Sequence, residues 1–98
     1  MTEIRFLPPA QRFIKKLRNQ ALKRLFQQAI DEIAENPEAG GEKTGDLRGV
    51  RCYDIYYNRI NYEIAYTIIH EADKTVIVIM AGTRENFYNQ LKQYWKQL

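Results

Sequence analysis

Three strand-like runs lie within residues 50–84, whose sequence is VRCYDIYYNRINYEIAYTIIHEADKTVIVIMAGTR. Val50–Tyr57 is rich in aromatic residues, Tyr62–Ile69 places tyrosine or isoleucine at each even-numbered position, and Thr75–Ala81 is apolar almost throughout. Only short polar segments separate the three runs, which predicts hairpin turns between antiparallel strands. Because a strand that is apolar on both faces is buried on both, Thr75–Ala81 is predicted to be the central strand of the sheet.

A helical hairpin is predicted upstream of these strands. Polar and apolar residues alternate over Thr2–Leu7, which predicts a short strand that ends at Pro8-Pro9. A helix is predicted to begin at these prolines, since proline is well tolerated at the first positions of a helix. Apolar residues then recur at helical spacing over residues 10–17 and, after a break near Asn19, over residues 22–34. The pattern predicts two helices that each bury one apolar stripe.

The remaining segments complete the predicted order. The second helix is predicted to end at Asn36-Pro37, because the residue before a proline is disfavoured in a helix, and residues 37–49 form a polar, glycine-containing loop. Thr83 is predicted to cap a final helix with the apolar positions Phe87, Leu91, Trp95 and Leu98. The order β-α-α-β-β-β-α predicts a single α+β domain over residues 1–98, a mainly antiparallel sheet with helices packed on one face.

Composition excludes several classes of protein. A chain of 98 residues with 45% hydrophobic residues closes one small core. It has no apolar run of the length of a membrane span and no apolar segment near Glu3 that resembles a secretory signal, so a cytoplasmic protein is expected. A single cysteine, Cys52, and a single histidine, His70, argue against a disulfide, a zinc cluster or another metal site. No motif for a cofactor is present, and none is expected.

The net charge of +3 is unevenly distributed along the chain. Residues 1–30 carry a net charge of +6, whereas residues 31–46 carry −5. A basic surface attracts nucleic acid or an acidic protein. The alternative is that these cations form only the solvated side of a helix.

Basic and tyrosine side chains are interleaved around the predicted sheet. They fall within residues 48–62 and at the start of the last helix: Arg48, Arg51, Tyr53, Tyr56, Tyr57, Arg59, Tyr62, Arg84 and Tyr88. Tyrosines that stack on bases and arginines that hold phosphates suit a single-stranded RNA surface. In the first of the three strands, Tyr53 and Tyr57 point to one face and Tyr56 to the other, and the sequence leaves open which face the helices cover. The alternative is that the tyrosines are ordinary strand residues on a half-solvated sheet.

Together, these residues resemble the RelE/ParE superfamily of toxins from bacterial type II toxin–antitoxin systems. The resemblance rests on Leu47-Arg48-Gly49, the strand bearing Tyr53, the strand Tyr62–Tyr66, the valine/isoleucine strand and Gly82-Thr83-Arg84-Glu85. It covers essentially the whole chain and implies the same order of strands and helices.

The resemblance implies two activities and one partner. RelE-like toxins cut mRNA in the ribosome without a metal, and ParE-like toxins poison DNA gyrase; both are neutralised by an antitoxin protein. Ribosome-dependent mRNA cleavage is the leading hypothesis for this chain, a gyrase inhibitor is the alternative, and an inactive module that only binds antitoxin is the third. The basic hairpin is the expected docking place for an acidic antitoxin helix. The alternative is the groove beside Tyr94 and Trp95.

Site residues are carried over from the family one position at a time. Arg84 matches the family's arginine after the last strand and is expected to contact the scissile phosphate. Other positions depart from the family: Asp54 and Tyr56 replace two lysines, and Glu63 replaces an arginine. Arg51 and Arg59 are expected to replace the missing cations, with Tyr56 or Tyr88 for proton transfer or base stacking. Glu63 qualifies as a base only if it lies on the uncovered face of the sheet. The expected RNA-binding residues are Lys43, Arg48, Tyr53 and Tyr57.

Overall fold

The computed structural model describes residues 2–98. Its elements are β1 (Glu3–Phe6), α1 (Pro8–Lys15), α2 (Gln20–Glu35), β2 (Gly41–Glu42), β3 (Arg51–Tyr57), β4 (Ile60–His70), β5 (Lys74–Thr83) and α3 (Phe87–Lys96), with a short 3₁₀ turn at Gly45–Leu47. Within these residues no helix is long and apolar enough to cross a bilayer.

The five strands form one sheet in the order β1-β5-β4-β3-β2. β1 runs parallel to β5, and the other neighbours are antiparallel, so the predicted α+β class and the meander of β3, β4 and β5 are confirmed. β4, not β5, is the middle strand, because β1 adds to the outer side of β5. β5 is nevertheless covered on both faces, which is why its sequence is apolar almost throughout.

The α1–α2 hairpin covers one face of the sheet. Asn19 starts α2, and its side-chain oxygen accepts the Leu22 N–H at 3.0 Å, which explains the predicted break between the helices. Phe26 of α2 packs edge-on against Tyr62 of β4 with ring centroids 5.9 Å apart. The even-numbered residues of β4 from Tyr62 to Ile68 all pack in the apolar cluster between the hairpin and the sheet, and they share one face as predicted.

α3 packs on the opposite face, so the prediction that all helices share one face is wrong. Phe87 and Leu91 are buried there against a second apolar cluster that includes Ile79 and Met80 of β5. The register between β4 and β5 shifts by one residue next to Ala65. This bulge inserts Ile79 and lets two consecutive β5 residues join the same cluster, so β5 has apolar side chains for both helical layers.

Two other predictions need correction. Thr83 lies in β5 and does not cap α3, which instead begins after Asn86, a residue in the left-handed conformation (φ 58°) without a side-chain cap. The predicted loop 37–49 contains β2 and the 3₁₀ turn. Propensity does not reveal β2, because a two-residue strand exists only through its pairing with β3.

A buried tyrosine fastens this segment to the sheet. The Tyr66 hydroxyl donates to the Pro37 carbonyl at 2.7 Å and accepts the Gly40 N–H at 2.8 Å. The guanidinium of Arg51 donates to the Gly40 carbonyl at 2.7 Å. These three bonds hold the end of α2 and the start of β2 against the hairpin side of β3 and β4.

Candidate active site on the open face of the sheet

Part of the sheet face that α3 packs on remains exposed, and we call it the open face. Its side chains come from cross-strand neighbours: Tyr56 pairs with Asn61, and Asp54 pairs with Glu63, which in turn pairs with Gly82. Residues that oppose each other in an antiparallel pair share a face. The open face therefore gathers side chains from β3 and β4 beside the end of β5.

Glu63 lies next to the exposed side chains of the open face and is itself covered by Arg84 and Tyr88. Glu63 has no solvent-exposed surface, and within residues 2–98 it is the one charged residue that is buried. One carboxylate oxygen accepts Nε–H of Arg84 at 3.0 Å, and the other accepts the Tyr88 hydroxyl at 2.6 Å. A buried carboxylate is tolerated when both oxygens are bonded in this way.

Arg84 bridges two carboxylates. Besides its bond to Glu63, its Nη2 lies 3.6 Å from an oxygen of Asp54, whose side chain is well exposed. Asp54 and Glu63 oppose each other directly on neighbouring strands. Because two like charges in this position destabilise a sheet, the guanidinium of Arg84 between them is stabilising. The hydrogen bond to Glu63 raises the pKa of Arg84, so the guanidinium stays charged while about half of its side-chain surface faces solvent.

Tyr88 closes the other side of Glu63. It lies in the first turn of α3, next to the buried Phe87, which fixes the start of the helix on the sheet. Burial raises the pKa of Tyr88, and the bond to Glu63 raises it further, so the hydroxyl keeps its proton at neutral pH. The ammonium of Lys43 lies 4.9 Å from the centre of the Tyr88 ring.

Cys52 lies on the same face as Asp54, two residues before it in β3, and is buried. Burial raises the pKa of its thiol to about 12, with a further contribution from the charge of Glu63. The thiolate is the nucleophilic form of cysteine, and it is absent at neutral pH with such a pKa. Cys52 therefore packs in the α3 cluster as an apolar side chain.

Raising the pH above 9 is expected to destabilise the fold. The folded state holds the Cys52 proton more tightly than the unfolded chain, so this contribution is complete below pH 9 and is lost as the pH rises toward 12. Each group of this kind lowers the free energy of unfolding by up to about 1.4 kcal/mol per pH unit. Urea unfolding of the wild type and Cys52→Ala, at about pH 9 and 10, measures the slope. Cys52→Ala should show the shallower slope, and equal slopes would contradict this assignment.

The structure brings some of the predicted site residues together. Arg84 and Tyr88 both bond to Glu63, and Lys43 lies against the ring of Tyr88. Glu63 lies on the sheet face away from the hairpin, but Arg84 and Tyr88 cover it and it is fully buried. Tyr56 is on the same face, one cross-strand row away from Glu63.

Other predicted residues lie elsewhere. Arg51 binds the Gly40 region, Tyr53 bonds to Glu32, and Tyr57 packs against the hairpin cluster, so all three point away from Arg84. Arg48 is exposed after the 3₁₀ turn, and Arg59 is exposed in the β3–β4 turn. The sequence does not predict the contact of Asp54 with Arg84. The alternation of β3 does place Asp54 on the same face as Tyr56, away from the hairpin.

The described residues offer no evident metal site. Within residues 2–98 no group of three or more His, Cys, Asp or Glu side chains is arranged to hold a metal ion. The two carboxylates of the open face share Arg84 as their cation.

Solved structures with the same fold include chains of toxin–antitoxin complexes. The chain is similar to a chain of the intact E. coli RelBE toxin–antitoxin complex (24% identity, 82% of this chain and 93% of that one, TM-score 0.63). It is also similar to a chain of the Mycobacterium tuberculosis RelBE2 complex (22% identity, 84% of this chain and 96% of that one, TM-score 0.66). A third match is the isolated E. coli RelE toxin (22% identity, 93% of this chain and 96% of that one, TM-score 0.63). A search of curated proteins gives no match. At these identities the structures establish the fold alone.

The family of the chain is shown by its match to a protein-family model. The model of the ParE-like toxins of type II bacterial toxin–antitoxin systems matches residues 4–92, from β1 into α3. That range contains the whole open face, including Glu63, Arg84 and Tyr88. The chain therefore belongs to the ParE-like toxins, within the RelE/ParE superfamily.

Proposed function

We propose that this toxin inhibits translation by cleaving mRNA on the ribosome, with Glu63, Arg84 and Tyr88 as its catalytic residues. The observation that carries the proposal is the buried Glu63 carboxylate, which shares its two oxygens between a guanidinium and a tyrosine hydroxyl. A base, a cation and a proton donor are the three groups that attack by a ribose 2′-hydroxyl on the adjacent phosphate requires.

Each residue has one role in this reaction. Glu63 takes the proton of the 2′-hydroxyl, whose oxygen attacks phosphorus, and Arg84 neutralises the charge that develops on the phosphoryl oxygens. Tyr88 gives its proton to the 5′-oxygen of the departing nucleotide as the P–O bond breaks. The Tyr88 hydroxyl carries this proton at neutral pH, and the departing alkoxide is basic enough to take it. The products are a 2′,3′-cyclic phosphate and a 5′-hydroxyl, with no other reactant consumed.

RNA binding has to loosen the Glu63–Arg84 contact before the reaction begins. Glu63 is fully buried, but Arg84, which covers it, is about half exposed. A phosphate placed at the open face competes with the carboxylates for the guanidinium, since phosphate and carboxylate use the same forked geometry. Movement of Arg84 toward the phosphate uncovers one oxygen of Glu63 for the 2′-hydroxyl.

The hairpin supplies the surface for macromolecular partners. Its cations are exposed and make no ion pair within residues 2–98: Arg12, Lys15, Lys16, Arg18, Lys23 and Arg24. They lie on the helical layer opposite the open face. This separation supports binding of a polyanion such as ribosomal RNA, or of an acidic segment of the antitoxin, without blocking Glu63. A cognate antitoxin is the expected protein partner of a toxin in this family.

Gyrase inhibition is the second candidate, and Asp54 favours it. An exposed carboxylate 3.6 Å from Arg84 opposes the approach of a phosphate. A toxin that acts by binding a protein target needs no catalytic groups and tolerates this charge.

Expression of the toxin alone in a bacterial host tests both candidates. We expect growth arrest together with new mRNA 5′ ends inside translated codons, mapped by primer extension. Tyr88→Phe should lower cleavage about 10²-fold, because it removes the proton donor and leaves the ring in place. Arg5→Ala, which removes an exposed pair with Glu3, is the matched control and should cleave normally.

Arrest with intact messages would refute the nuclease and direct the test to gyrase cleavage complexes. No arrest, in protein shown by circular dichroism to be folded, would favour the inactive module.

A further inference from the structure

The end of the β3–β4 hairpin carries an aromatic ring and an amide that the reaction at Glu63 does not use. Tyr56 and Asn61 oppose each other in the register of β3 and β4. Their Cβ atoms are therefore about 5 Å apart on one face. Tyr56 is 67% exposed and Asn61 is also exposed, so the ring and the amide lie side by side in solvent.

This pair is joined to the catalytic residues through the backbone. The N–H of Arg84 donates to the carbonyl of Asn61 at 2.9 Å. On the same face, Asp54 and Glu63 form the next cross-strand pair, two residues away on each strand. The Tyr56–Asn61 pair is thus the neighbour of the carboxylates that Arg84 contacts, within reach of the base of a nucleotide whose phosphate binds Arg84.

A cation stands at the tip of the same hairpin. Asn58 and Arg59 form the turn, with φ values of 51° and 65°. Two consecutive left-handed residues are typical of the tight turn that matches the twist of a hairpin. Arg59 is exposed and has no ion-pair partner within residues 2–98, so it can take the phosphate on the far side of the base.

We propose that Tyr56, Asn61 and Arg59 form a nucleobase subsite that selects adenine next to the scissile phosphate. The Tyr56 ring stacks on the base, and stacking tolerates any base, so the choice of adenine depends on Asn61. The Asn61 amide offers one donor and one acceptor, and adenine presents the matching acceptor and donor at N7 and N6. Arg59 binds the neighbouring phosphate. The subsite deepens the proposed nuclease function and rests on it for its biological role.

Binding of short RNA that cannot be cleaved tests the subsite directly. Fluorescein-labelled 2′-O-methyl pentamers UUAUU and UUUUU are titrated with the toxin at low salt, and the anisotropy is recorded. We expect UUAUU to bind at least about fivefold more tightly, since a paired amide–adenine contact is worth that much discrimination. Tyr56→Ala should weaken UUAUU about tenfold, through lost stacking. Asn61→Ala should bring the two pentamers to equal affinity.

Ile60→Ala is the matched control. Ile60 is next to Asn61, is also exposed, and points to the other face of the hairpin. Its substitution should change neither affinity nor preference. Equal affinity of the wild-type toxin for both pentamers, no binding of either, or a preference that survives Asn61→Ala would overturn the proposal.

Mapping of cut sites in cells separates this proposal from the proposed function. Adenine-selective binding that requires Asn61, in a toxin that makes no cuts, would refute the nuclease and support the subsite. Cuts whose base preference is the same in wild type and Asn61→Ala would refute the subsite and support the nuclease.

Discussion

Replacing Glu63 by glutamine is expected to lower mRNA cleavage by about 10²–10⁴-fold while the protein stays folded. Glutamine has nearly the same shape, and its amide oxygen can accept from Arg84 while its amide nitrogen can donate to the hydroxyl oxygen of Tyr88, so the buried group remains bonded. What it loses is the ability to take a proton. Cleavage is measured by primer extension during ribosomal translation, and folding by thermal unfolding.

Asp54→Asn is the matched comparison, because Asp54 opposes Glu63 in the sheet and also contacts Arg84. It removes an exposed charge that competes with phosphate, so cleavage should rise by roughly threefold to tenfold at low salt, and the gain should shrink as salt is added. A misfolded protein cannot produce such a gain. Undiminished cleavage by Glu63→Gln would remove Glu63 from the mechanism.

Arg84 needs a more careful substitution than Glu63. Arg84→Ala removes the cation between Asp54 and Glu63, so a loss of cleavage in this variant mixes catalysis with stability. Arg84→Lys keeps the charge and loses the forked geometry, which separates the two effects. If Arg84→Lys is folded and its cleavage falls strongly, the guanidinium acts on the phosphate.

Gly40→Ala is expected to cause the largest loss of stability, about 2–4 kcal/mol. A Cβ at this position would lie 2.8 Å from the Tyr66 hydroxyl oxygen and 2.9 Å from the Cys52 carbonyl oxygen, both too close. Tyr66 is fully buried and cannot move aside, so the segment must shift and break the bonds that fasten it to the sheet. Overpacking of a tight site and loss of a buried hydrogen bond each cost about 1–3 kcal/mol.

Gly41→Ala is the natural control, since a Cβ there meets no atom within 4 Å. Its free energy of unfolding should stay within about 0.5 kcal/mol of the wild type. Chemical unfolding in urea measures both variants. Equal stabilities for Gly40→Ala and Gly41→Ala would show that Tyr66 does not hold this segment rigidly.

The sequence was sufficient for most of the fold. The alternation of β4, the apolar run of β5 and the helical stripe of α2 each reflect a local rule, because burial on one or both faces repeats with the period of the element. The placement of α3 was not accessible in this way. β5 is apolar on both faces, which requires two covering layers, yet periodicity does not say which helix supplies the second one.

For the site, the sequence determined which residues carry chemistry, and only the tertiary structure decided which of them meet. Alternation alone places Asp54 and Tyr56 on one face of β3 and Tyr53 and Tyr57 on the other. The hairpin covers the face of Tyr53, and α3 leaves part of the other face open beside Glu63. Glu63, Arg84 and Tyr88 come from three elements, and their contacts depend on the register of β4 with β5 and on the docking of α3. Contacts between distant segments are set by packing of the whole core, which no local pattern encodes.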